Sequence, residues 1–156
     1  MTNRQKVLTS VLLAKMHLNF YHDVLNENTE DMQHVVKALS CKDTLTHLDN
    51  AILEVIYKLS NDQIVAVYNK INSLKFEGIN LAEMLAITIL EVDFSLDKLT
   101  RLKNPSTKDN SAVWRLKLVL GKLHKRSTQM FNKGMFIDND ECELATQVRN
   151  NLWSQL

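Results

Sequence analysis

Catalysis or metal binding in this chain would have to start from its five histidines, two cysteines and 18 carboxylates. A metal site on a helix needs His or carboxylate ligands at i, i+3 or i+4, or else paired cysteines. His17 and His22 stand five apart and splay around a helix, while His34, Cys41 and His47 meet only across a turn. No metal site is expected. Asp138-Asn139-Asp140-Glu141 opens like a calcium loop, but Glu143 occupies the position where an EF-hand turn needs Gly. Nucleophilic catalysis wants Ser or Cys beside a positioned base. Neither Cys41 nor Cys142 lies in such a motif, and there is no Gly-x-Ser-x-Gly elbow. Gly78, Gly121 and Gly134 are isolated, so no glycine loop exists to cradle a phosphate. The residues point to a protein that is not an enzyme and holds no cofactor.

Charge placement is more informative. The whole chain sums to +1, yet residues 98–133 hold ten bases against one acid, Asp109, for +9. Nine bases and 17 acids remain elsewhere, for −8. On a helical wheel Arg115, Lys122, Arg126 and Lys133 fall close together, opposite an apolar face of Val113, Leu116, Leu120 and Leu123. Trp114 and Leu118 lie between the two faces, and Lys125 adds to the basic side. Such a helix can present an exposed basic stripe with apolar anchors beside it. It suits an acidic amphipathic segment of a protein partner, with Trp114 or Leu118 as anchor and the bases steering the approach. The alternative is salt-sensitive contact with nucleic-acid phosphates. A third reading pairs the bases with acidic helices of the same domain.

The elements that position these residues are helical. Gly occurs three times and Pro once in 156 residues, which leaves little material for tight hairpins. Val7, Val11, Ala14, Leu18, Tyr21 and Leu25 recur at helical spacing, and Leu13, Phe20 and Val24 form a second apolar face on the same helix. That second face is either sandwiched between neighbours or used for docking, a homodimer included. Further periodic runs predict a short helix from Met32 to Leu39 that ends at Ser40 to Asp43. A third helix carries Leu45 to Leu59, and a fourth, after a Ser60-Asn61-Asp62 joint, carries Ile64 to Leu74. Asn28-Thr29-Glu30-Asp31 is read as the cap of the second helix. Asn80 caps a fifth helix that Asp93 can restart, Asn110 or Ser111 caps the basic helix of 111–133, and Asp138 with Glu141 opens the last. Gly134 is a natural terminator for the basic helix.

The length and the 45% apolar content fit one all-α domain over 1–156, a compact antiparallel bundle of six to eight helices. The recurrence of Ile52-Leu53-Glu54-Val55 as Ile89-Leu90-Glu91-Val92 leaves stacked helix pairs of the HEAT kind as a variant. No run of 18 apolar residues occurs, so no membrane insertion is expected. The N-terminus makes a poor signal peptide, and two distant cysteines read as buried free thiols, which places the chain in cytoplasm or nucleus.

The C-terminal third resembles the small helical docking domains of transcription-elongation factors, of the elongation factor S N-terminal type. The carriers are Leu96, Leu99 and Leu102 on one helix, Gly121-Lys122-Leu123-His124-Lys125, and Leu144-Ala145 with Leu152-Trp153. It covers about 60 residues, with Gly121 closer to the basic stretch, and the stretch from Arg126 to Asp140 longer, than in that pattern. The resemblance implies binding of short disordered motifs. The expected function is therefore an intracellular interaction or regulatory module, an adaptor that docks partner peptides or helices on the amphipathic basic face.

Overall fold

The computed structural model describes residues 1–26, 32–76, 78–132 and 139–156, and the side chains of these outside 25–41 and 129–142. The helices are α1 (Asn3–Asn26), α2 (Met32–Val55), α3 (Asn61–Asn72), α4 (Leu81–Thr100), α5 (Thr107–Asn132) and α6 (Asn139–Ser154). A 3₁₀ turn at Ile56–Lys58 follows α2. No strand occurs among the described residues, so the chain is all-α there. Within the same residues no helix is long and apolar enough to cross a membrane.

The two apolar faces of α1 are both used. Val7, Leu8, Val11, Leu12, Leu13, Ala14, Leu18 and Tyr21 are buried, and α2, α3 and α4 all pack on this helix. Thr9 and Ser10, which interrupt the apolar run, are buried as well. Each has an acceptor: the Thr9 hydroxyl donates to the Gln5 carbonyl at 2.8 Å and the Ser10 hydroxyl to the Glu91 carbonyl at 2.6 Å. Buried hydroxyls satisfied in this way cost little.

Two expected helix breaks do not occur. α2 runs without interruption through Ser40 to Asp43, and α4 runs through Asp93. Ser, Lys and Asp are weak helix formers or neutral ones, not breakers, and neither segment contains Pro or Gly, so packing on α1 decides the outcome. α5 likewise starts at Thr107, ahead of the expected caps at Asn110 or Ser111. The reason is a reciprocal cap one turn earlier. The Ser106 hydroxyl accepts from the Asp109 N–H at 3.2 Å, and the Asp109 carboxylate accepts from the Ser106 N–H at 2.9 Å. Ser60 caps α3 in a capping box with Gln63, and the Asn80 side chain accepts from the Glu83 N–H to cap α4. The expected caps around Asn28 to Asp31 and at Asp138, and the terminator Gly134, lie outside the described residues.

The earlier start of α5 does not alter its helical phase, but its buried stripe is rotated from the expected one. Asp109, Ala112, Leu116, Val119 and Leu123 are buried, while Val113 and Leu120 are only partly so. The rotation carries Arg115 and Lys122 toward α2.

Candidate docking face on α2 and α5

Along the seam between α2 and α5 the contacts run in opposite order on the two helices. Asp43 pairs with Lys122, Glu54 with Arg115, and the Lys108 ammonium lies 4.1 Å from the centre of the Tyr57 ring. The two helices are therefore antiparallel. Lys122 holds the Asp43 carboxyl below its usual range through a hydrogen bond and its charge. Arg126, about three turns along α5 from Arg115 and on the same side, donates to the Tyr21 hydroxyl of α1 at 3.0 Å. Thus three of the four stripe bases, Arg115, Lys122 and Arg126, are half-buried and engaged by α1 and α2. The stripe expected to face solvent is largely a seam. Lys133 lies outside the described residues.

What faces solvent is the apolar side of the seam. Trp114 is 57% exposed and Leu118 36%, and across the seam Leu53 and Tyr57 are each 62% exposed. Leu53 precedes Glu54 and Trp114 precedes Arg115, so these two side chains flank one ion pair, with the Arg115 guanidinium 6.0 Å from the Trp114 ring. Large exposed apolar groups gathered on one side of a folded domain mark candidate interaction surfaces. Lys108, Lys117 and Lys125 surround this face with no acidic partner among the described residues. Sequence reading had marked Trp114, Leu118 and Lys125. It missed Leu53 and Tyr57, whose i, i+4 spacing on the polar side of α2 was the available signal.

Gly121 belongs to the same face. Trp114, Leu118, Gly121 and Lys125 follow one another at i, i+4, i+7 and i+11, and all four are exposed. A Cβ added at Gly121 would meet nothing within 4 Å. A glycine inside a helix destabilises it by roughly 0.5–1 kcal/mol relative to alanine. No packing among the described residues explains that cost.

The second face foreseen on α1 is mostly core. Leu13 is buried and Val24 is partly buried against the core, which leaves Phe20 as its exposed member. Phe20, Phe76 and His17 form a mutual edge-on cluster with ring centres 5.8 to 6.1 Å apart. His17 is fully buried and its Nδ1–H donates to the Leu13 carbonyl at 2.7 Å. Burial lowers its pKa, so the ring is neutral at pH 7.

Among the described residues the two buried carboxylates, Glu91 and Asp109, each bond to partners from other helices. Glu91 is 0% exposed, at the junction of α1, α4 and α6. Its carboxylate accepts from the Arg149 guanidinium, from the Trp153 indole N–H at 2.9 Å and from the Ser10 hydroxyl at 3.0 Å. Burial pushes its pKa up, and Arg149, Trp153 and Ser10 oppose that shift. The Arg149 guanidinium itself lies 4.9 Å from the Phe94 ring and 5.1 Å from the Trp153 ring. Both carboxylate oxygens are thus occupied by donors. Asp109 is held by both terminal nitrogens of Arg4 at 2.9 Å. That bidentate bond, aided by the Ser106 cap, lowers its pKa strongly. No group of three or more His, Cys, Asp or Glu fit to hold a metal ion occurs among the described residues.

No protein-family model, no curated protein and no solved structure matches the chain.

Proposed function

We propose that this protein is a non-enzymatic interaction module, an adaptor or regulatory domain built as a helical bundle, that docks a protein partner on the outer face of α2 and α5. The observation that carries the reading is the exposure of Leu53, Tyr57, Trp114 and Leu118 on the two helices that the Glu54–Arg115 pair joins. Aromatic anchors ringed by polar groups are what dominate binding energy at protein interfaces. Lys108, Lys117 and Lys125 give this face a positive rim that can steer an acidic partner. The nucleic-acid reading loses weight, because Arg115 and Lys122 already spend their charge on Glu54 and Asp43.

Affinity capture from the native cell tests the proposal, comparing wild type with the Trp114→Ser/Leu118→Ser double variant. Because both side chains are exposed, thermal stability is expected to stay within about 0.5 kcal/mol of wild type. Loss of the captured partner at unchanged stability supports docking here. Unchanged capture rejects it, and a large stability loss would show that the two side chains serve the core.

A further inference from the structure

We infer that the partner contributes an acidic amphipathic α-helix that crosses α5 at Gly121, its backbone seated against the missing side chain. This rests on the docking reading and deepens it by naming the occupant. Gly121 is the residue of the face whose type weakens its own helix. Gly121 is exposed, lies mid-helix, and has open space where a Cβ would stand. Packing between helices brings backbones closest where a small residue stands at the crossing point. Leu118 lies one turn from Gly121 and Trp114 two turns away, on the same outward row, so they offer the apolar ridge for a helix to lie against.

Charge settles which helix. Lys117 and Lys125 stand four residues before and after Gly121, and neither has an acidic partner among the described residues. A helix crossing at Gly121 therefore meets a cation on each side of the crossing. Glutamates one turn either side of a small central residue complement them. A second copy of this chain does not: a twofold crossing of α5 on α5 centred at Gly121 brings Lys117 of one copy toward Lys125 of the other. Nucleic acid would use the lysines but has no need of a glycine beside Trp114 and Leu118.

The test uses the full chain and fluorescently labelled 18-residue helical peptides, read by anisotropy. One peptide has a Leu ridge, a central Ala and Glu one turn to each side; a second replaces Glu by Gln, and a 20-base-pair DNA duplex is the third probe. The Glu peptide is expected to bind about fivefold more tightly than the Gln peptide at low salt, with the difference shrinking at 0.5 M salt. Gly121→Leu should weaken the Glu peptide at least tenfold. Gly121→Ala should weaken it less while raising the melting temperature by a few degrees, an opposition of sign that a purely structural glycine would not show. Equal affinity of the two peptides, preference for the duplex, or indifference to Gly121→Leu overturns the inference. If no peptide binds yet Trp114→Ser/Leu118→Ser still abolishes capture of the natural partner, the helix falls and the docking face stands. If neither occurs, both fall.

Discussion

Arg149 separates a buried carboxylate from the cost of its burial, so its removal should have a distinctive pH signature. Replacing Arg149 by Met leaves the buried Glu91 carboxyl without its cation, and about 3 kcal/mol of stability should be lost at pH 7. The folded-state pKa of Glu91 already lies above the ordinary value, and the variant raises it further. A carboxyl so shifted binds its proton more tightly in the native than in the unfolded state, so its contribution to stability falls as pH rises above about 4.3. The deficit of Arg149→Met should therefore be larger at pH 7 than at pH 5, by denaturant titration against wild type at each pH. Glu91→Gln in the same background should recover much of it. Comparison at matched pH cancels His17, whose lowered pKa acts in the other direction by removing stability as pH falls below about 6.5. Asp109 has the opposite sign to Glu91. Its depressed pKa contributes stability above about pH 4 that is lost as pH falls toward the folded value. Asp109→Asn should cost about 2 kcal/mol at pH 7 and flatten the acid limb of the stability profile.

At the scale of elements, the continuous α2 makes a prediction that the broken version would not. Lys42 is exposed and sits where a helix end was expected from Ser40 to Asp43. Lys42→Pro should cost about 3 kcal/mol or more if α2 is one helix, because proline removes a hydrogen bond and crowds the preceding turn. A loss below about 1 kcal/mol would place a joint there. Local chemistry served well where it was strong: Ser60 and Asn80 cap the helices that their sequence context assigned them. It misled at α5, where Ser106 and Asp109 form the cap through an acid three residues on, a pattern also available to be read. What could not be read was that Arg4, 105 residues away in sequence, fixes that same Asp109.

For the whole molecule, stability should be graded by how many neighbours each helix has. α1 is packed by α2, α3 and α4 and joined to α4 through Ser10 and Glu91, whereas α3 packs chiefly on α1 and buries only Val67 and Ile71. Native-state hydrogen exchange should find the slowest amides in α1 and α4 and the fastest helical amides in α3. Uniform protection would contradict this ordering. The helical class was legible from the lack of Gly and Pro and from apolar spacing, because backbone propensity and burial periodicity are properties of neighbouring residues. Trp114, Leu118 and Lys125 were legible as surface for the same reason. The use of Arg115, Lys122 and Arg126 was not. Their direction on the wheel depended on which side of α5 faced the core, and Ala112 and Val119, small or unremarkable in sequence, turned out to define it. Sequence alone determined the helical class and the lopsided placement of charge. Only tertiary structure decided that Arg115 and Lys122 close the α2–α5 seam, since an ion pair depends on distances between residues tens of positions apart, which periodicity along one helix does not encode.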